Sequence, residues 1–417
     1  MMHTFSIIQA IVADNNLINS LLQIMEVEPE IAVHFSTDFD PSDTSTHSYY
    51  YYPKVPGVNC VKLTRSTRKD KFYSAAQYMN ITGFDAPADT IFDEYKGAYL
   101  PCYYAFSIQL EINPYKVTQP QEKHTIELFT PIKTNVEALE EAFPTMINSI
   151  FQGIDCYHLN LLANFRNWNI RRIDYSFNLH FEDDSIRAIF HKMIHKTSKH
   201  IRTTPVKVKK QKRYEQSAAE RNKSYKVICY DKQKEVEEQD HLTSDDKRTL
   251  LASAHGIQRY EVQIGYNGIA SVMKRYGLPD RSAYRFLDLD IAYHELIGYY
   301  TKTIGVKNFY NRHEAVAIIR KNYKEAMATK LIDILQLIAQ ARGVDKAKKQ
   351  FTSGGYHPIK ISNKTISGSS STFNSYLKKL KSVGINPVLI ADVDKLVRLI
   401  NPVYQIHDAY NSLRNAQ

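Results

Sequence analysis

The chain has 417 residues with 43% hydrophobic and 12% aromatic content, which excludes a disordered or fibrous chain and fits two or more folded domains. The 54 Lys plus Arg against 44 Asp plus Glu give a net charge of +10, which favours polyanionic partners, with nucleic acid ahead of an acidic membrane surface. Cys60, Cys102, Cys156 and Cys229 show no C-x-x-C spacing, which argues against a zinc cluster or a disulfide framework and for a reducing cytoplasm. No apolar run approaches the roughly 18 residues of a bilayer span, and MMHTFSIIQAIVADNN lacks the basic flank and cleavage site of a signal peptide. A cytoplasmic protein without membrane contact is expected.

In chain order, the first hundred residues are mixed, and the aromatic run Tyr49 to Tyr52 reads as an edge strand. From Tyr103, AFSIQLEI alternates, with Phe106, Ile108, Leu110 and Ile112 on one face and Ser107, Gln109 and Glu111 on the other. VEALEEAFPTMINSIF has helical spacing through Val136, Leu139, Phe143, Met146 and Ile150, and Pro144 predicts a kink or a restart. RRIDYSFNLHF alternates again, with Asp174, Ser176, Asn178 and His180 opposite Ile173, Tyr175, Phe177 and Leu179. SIRAIFHKMI follows as a helix. SYKVICYDK predicts a third strand with Lys226, Ile228, Tyr230 and Lys232 on one face, and QRYEVQIG a fourth with Glu261 and Gln263 opposite Tyr260, Val262 and Ile264. The segment from His313 to Gly343 predicts one core helix through Ala315, Ile318, Ile319, Tyr323, Met327, Leu331 and Leu335. IKISNKTIS reads as a small hairpin around Asn363-Lys364, and TFNSYLKKLKSVGIN as a basic amphipathic helix stopped by Gly384.

These elements predict an α+β fold: an antiparallel sheet with helices on one face, followed by a helical region and a small C-terminal module. The expected divisions are 1–282, with a core at about 103–282, then 283–352 and 353–417, the last a candidate DNA-contacting module.

Glu111, Asp174 and Glu261 each occupy the polar face of a strand. A solvated sheet face carries acids in any case. Three acids on neighbouring strands would instead converge on one patch, and oxygen ligands without thiolates suit Mg²⁺ or Mn²⁺. Tyr230 is the candidate nucleophile. Its phenol has an ordinary pKa near 10, so attack on a phosphodiester needs nearby positive charge, which Lys232 on the same face would supply, with Glu235 orienting it. With 29 tyrosines in the chain, a Tyr beside a Lys selects nothing by itself. The run Lys196 to Arg213 is a candidate phosphate-binding loop through Lys199, Arg202, Lys207, Lys209, Lys210, Lys212 and Arg213, with a solvated charge run as the alternative. Among His124, His158 and His180 there is no His-x-His or His-x₃-His pair, so no two-histidine metal pattern is read there.

At these residues the chain resembles the filamentous-phage replication initiators, the gene-two family of phage and plasmid rolling-circle endonucleases. The likeness runs through LEINPYKV, RRIDYSFN, SYKVICYDKQKEVEEQ and QRYEVQIGYNGIASVMKRYGLP in that order, from about Tyr103 to Pro279, with a weaker match in SNKTISGSSSTFNSYLKKLKSVGIN. The resemblance implies that Tyr230 is the nucleophile, with Lys232 and Glu235 as matching partners, and that Glu111, Asp174 and Glu261 are the family's acids. One departure stands out: the family's Gly-His-Asn segment is Lys123-His124-Thr125 here.

The implied function is a strand-specific nick at a double-stranded origin. It leaves a 3′-hydroxyl primer and a 5′-phosphotyrosine that later rejoins the displaced single strand. Origin DNA, single-stranded DNA, a bacterial host's helicase and polymerase, and further copies of the chain on the origin are the expected partners. No G-x-x-x-x-G-K-[ST] loop is present, so unwinding falls to the host. Two other readings stay open: a non-catalytic DNA-binding replication protein, and a tyrosine nuclease of the mobilisation-relaxase or single-strand-transposase kind.

Overall fold

A computed structural model of the chain describes residues 1–13, 15–26, 46–66, 72–73, 90–93, 98–101, 103–122, 125–197, 217–221, 224–239, 242–353, 360–361 and 364–416. Within them the protein is α+β, and it divides into two compact units: Met1–Asp174 with Ile264–Ile291, and Tyr175–Gln263 with Ala292–Gln417. Each unit is assembled from two stretches of chain, where the sequence suggested consecutive segments 1–282, 283–352 and 353–417.

In the first unit the sheet order is Thr46–Tyr51, Val58–Ser66, Tyr103–Ile112, Met2–Ala13 and then Asn169–His180, whose residues up to Asp174 belong to this unit. The apolar N-terminus is thus an interior strand. It runs antiparallel to Tyr103–Ile112, with Ser6 opposite Glu111 and Ile7 opposite Leu110. Thr46–Tyr51 ends the order, so the aromatic run does form an edge. Period-two alternation holds along Tyr103–Ile112: Phe106, Ile108, Leu110 and Ile112 are buried, while Ser107, Gln109 and Glu111 between them are half-buried.

The apolar side is covered by helix Lys133–Ile150, which buries Val136, Leu139, Phe143, Met146, Ile147 and Ile150. The helix continues through Pro144 without a restart. A proline deletes one intrahelical bond, and the apolar stripe on either side is buried regardless. Phe143 lies 4.9 Å from the Phe165 ring and 6.0 Å from Trp168, whose indole Nε1 donates to the Leu162 carbonyl at 2.8 Å.

In the second unit the order continues from the Tyr175–His180 part of that strand to Ile257–Ile264, Tyr225–Asp231 and Ser217–Arg221. The alternation predicted for the two central strands does not become a solvated face. Asp174, Tyr175 and Ser176 are consecutively buried, as are Ile257 through Val262. Both faces of these strands are covered, in place of helices on one face only.

The helix expected from His313 to Gly343 is two helices, Arg312–Asn322 and Glu325–Gln340. They part at Tyr323, which takes an extended backbone (φ −133°, ψ 147°) while its hydroxyl donates to the Lys379 carbonyl at 2.8 Å. Anchoring the ring to a different helix outweighs the helical spacing. Lys360–Ile361 and Lys364–Thr365 pair antiparallel as the small hairpin, and helix Ser370–Ser382 ends at Gly384, whose φ of +82° is the left-handed closure that glycine favours. Among the described residues no helix is long and apolar enough to cross a membrane.

Truncating Phe143 removes a fully buried ring that touches two other aromatics. Phe143→Ala is expected to cost about 3–5 kcal/mol in urea unfolding followed by circular dichroism, and a loss below about 1 kcal/mol would contradict this packing.

Candidate active site

Each predicted site residue has a definite place within its own unit. In the first, Glu111 and Asp174 face the same cation, Arg172. Its Nη2 lies 3.2 Å from Glu111 Oε1 and its Nε lies 3.1 Å from Asp174 Oδ1. Asp174 has 1% of its side chain exposed and also accepts from the Thr4 hydroxyl. Burial works against the Arg172 charge, but Asp174 and Glu111 outweigh it and hold the guanidinium above its ordinary pKa.

Two of the three acids expected to collect a divalent ion therefore share an arginine. Among the described residues no group of three or more His, Cys, Asp or Glu is arranged to hold a metal. As placed, Glu111 and Asp174 do not present the open oxygen cluster that Mg²⁺ or Mn²⁺ takes. Arg172 escaped the sequence reading although it stands two residues before Asp174, on the same strand face.

The second unit holds Tyr230, Lys232 and Glu261. Tyr230 is next to last in Tyr225–Asp231, and Glu261 sits in the middle of Ile257–Ile264, the neighbouring strand. The Glu261 strand follows Gly256, whose φ is +71°. A β-carbon there would stand 2.4 Å from the Phe181 carbonyl oxygen, so only glycine fits.

On the face shared by Arg259, Glu261 and Gln263, the Arg259 guanidinium is fully buried. Its Nε donates to Asn178 Oδ1 at 2.9 Å, and it also hydrogen-bonds the Tyr230 phenol. Gln263 donates to Glu261 Oε1 at 2.6 Å. Burial raises the Tyr230 pKa most, Glu261 and Glu235 raise it further, and Arg259 pulls it down. Tyr230 itself is half-buried, with part of its surface open to solvent.

Lys232 departs from the predicted strand face. The strand ends at Asp231, which caps the helix Lys232–Glu237 by accepting from the Lys234 amide and also takes a hydrogen bond from Arg187. Lys232 is the first residue of that helix, and its ammonium lies 2.6 Å from Glu235 Oε2. Burial and Arg259 lower its pKa, while Glu235 and Glu261 raise it. The positive charge hydrogen-bonded to the phenol is thus Arg259, the residue two before Glu261, which the sequence reading also missed.

Lys199, Arg202, Lys207, Lys209, Lys210, Lys212, Arg213 and His124 lie outside the described residues. A different arginine-rich surface is visible in the first unit. Tyr266, half exposed at 50%, has the Arg281 guanidinium 4.1 Å and the Arg171 guanidinium 5.1 Å from its ring centre, and Arg166 lies 4.4 Å from the Tyr284 ring. Exposed aromatic rings with guanidinium groups beside them suit stacking on nucleic-acid bases.

No family model, curated protein or solved structure matches this chain.

Removing Arg172 leaves Asp174 buried without its cation. Arg172→Met is expected to cost about 1–3 kcal/mol, most of it returned when Asp174→Asn is added. Additive losses in the double variant would show that the pair is not coupled.

The raised Tyr230 pKa sets a second expectation. Stability is fully present below the ordinary phenol value of 10.0 and falls as pH rises above it, because the unfolded chain releases a proton that the folded one keeps. Tyr230→Phe should flatten that alkaline decline in urea unfolding run from neutral to strongly alkaline pH, and an unchanged slope would argue against a phenol that the fold keeps from ionising.

Proposed function

We propose that this chain is a DNA nickase of the rolling-circle initiator kind, with Tyr230 as the attacking group. One observation carries the reading: the Tyr230 phenol hydrogen-bonds a fully buried guanidinium and lies within the electrostatic reach of Glu261. A phenol in ordinary surroundings is a poor nucleophile at neutral pH. Arg259 would stabilise the phenolate as it forms, and then the negative charge that builds on the phosphate oxygens.

In the proposed reaction, the phenol oxygen forms a bond to phosphorus as the bond from phosphorus to the 3′-oxygen breaks. Glu261 takes the phenol proton as general base. Lys232 protonates the departing 3′-oxygen, a role suited to a buried ammonium whose pKa is lowered. The products are a 5′-phosphotyrosine and a 3′-hydroxyl. The ester stores the energy of the broken bond, so a later 3′-hydroxyl rejoins the strand by the reverse step without ATP.

The net charge of +10 and the arginine-flanked Tyr266 support a polyanionic, base-bearing substrate. The proposed partners are origin duplex, displaced single strand, and a host helicase and polymerase. Mg²⁺ or Mn²⁺ remains part of the proposal as an ion that would have to compete with Arg172 for Glu111 and Asp174.

One observation favours the non-catalytic DNA-binding reading instead: burial makes the Tyr230 phenol harder to ionise than a free one. A single variant separates the two. With supercoiled DNA carrying the cognate origin and Mg²⁺, the wild-type chain is expected to become covalently attached to DNA through residue 230. Tyr230→Phe should abolish the adduct, a loss of at least about 10³-fold, while leaving DNA binding intact. If the variant nicks and links DNA as well as the wild type, Tyr230 is not the nucleophile. If neither protein forms an adduct while both bind, the DNA-binding reading stands.

A further inference from the structure

Helix Asp184–Thr197 carries two histidines four residues apart, His191 and His195, in the sequence FHKMIHK. Four-residue spacing puts both rings on one helix face, one turn apart. Their Nε2 atoms stand 3.0 Å from each other, with the ring centres 4.7 Å apart and the planes at 79°. Without an ion this is a hydrogen bond between two imidazoles. The same geometry is close to that of a bis-imidazole metal site: two nitrogens about 2.0–2.1 Å from one tetrahedral ion stand roughly 3.3 Å apart, so a few tenths of an ångström separate the two states.

The second observation is behind His191. Gln258 has no exposed surface, and its Nε2 lies 2.9 Å from His191 Nδ1 and 3.5 Å from Cys229 Sγ. Its Oε1 has no hydrogen-bond partner among the described residues. A metal-bound histidine needs its outer nitrogen protonated and donating to an oxygen. A carboxamide presents an NH₂ at one end and an oxygen at the other. With nitrogen towards His191 it supports the hydrogen-bonded pair, and turned over it accepts from Nδ1–H and frees Nε2 for an ion. The half-turn exchanges which end of the amide is unpartnered.

We infer that His191 and His195 form a binding site for one borderline divalent cation, Zn²⁺ or its neighbours Co²⁺, Ni²⁺ and Cu²⁺, oriented by Gln258. Two neutral imidazoles without a carboxylate select such ions over Mg²⁺ and Ca²⁺. Water fills the remaining positions, since both histidines are only half-buried. This site does not serve Tyr230. Gln258 and Cys229 alternate with Arg259 and Tyr230 along their strands, so they occupy the opposite sheet face. The ion would clasp one turn of the helix and fix His191 against the sheet.

The test uses the full chain, without a histidine tag and stripped with EDTA, titrated with Zn²⁺ against a chromophoric chelator in excess Mg²⁺. The expected result is one equivalent of Zn²⁺ bound by the wild type and by Glu111→Gln. That equivalent should be lost in His191→Ala and His195→Ala, and bound about tenfold more weakly in Gln258→Ala. No binding by the wild type, or undiminished binding by both histidine variants, overturns the site. Should a histidine variant fail to fold, anomalous diffraction from Zn²⁺-soaked wild-type crystals decides: a peak between the two Nε2 atoms supports the site, and metal found only elsewhere overturns it.

Discussion

A guanidinium that carries a full charge and shows almost no surface has to be answered by acceptors inside the protein, and Arg259 organises the second unit around that need. Asn178 takes its Nε–H from one neighbouring strand and the Tyr230 phenol takes another hydrogen bond from the other. Charges held this way are costly to separate: removing one partner of a buried pair typically costs about 3–5 kcal/mol. Tyr230, Glu261 and Lys232 are therefore held in a polar network whose centre is an arginine. The first unit repeats the device more openly, with Arg172 between Glu111 and Asp174.

The two arginines follow one rule. Each stands two residues before an acid on its own strand, so alternation delivers both charges to the same face. A strand that pairs its acid this way can be covered on that face, which explains how Asp174, 3.1 Å from Arg172, is buried although it does not lie on an apolar face; Glu261, equally buried, is met by the Gln263 amide. It also changes what an acid on a strand signifies. An acid with such an arginine is already neutralised, and an ion must displace that partner before binding.

Alternation made the strands legible: the burial of Phe106, Ile108, Leu110 and Ile112 follows directly from AFSIQLEI. What it could not show was whether the second face would be wet, because that depends on what else packs there. Hence Asp174, Ser176 and Glu261 read as residues of a polar face and are buried. Lys232 read as a strand residue because nothing in its own chemistry ends a strand. The break comes from Asp231 capping the next helix. Met2–Ala13 looked like a short apolar segment, since its partner strand begins about ninety residues later and pairing at that distance leaves no local trace. Tyr323 has helical spacing and breaks the helix because of a hydroxyl contact far along the chain. His191 and His195 stand four residues apart in a segment read only as a helix, and the pair was passed over; its meaning depends on Gln258, which belongs to a different element.

Trp168 is the single indole of the chain, and it is completely enclosed within the first unit, among Phe143 and the Leu162 carbonyl. The protein therefore has a natural optical reporter of the packing inside its first unit. Emission measured on selective excitation of that indole follows the opening of its own aromatic pocket. A melting curve read from that indole alone is a record of how the pocket of Phe143 and Leu162 loosens.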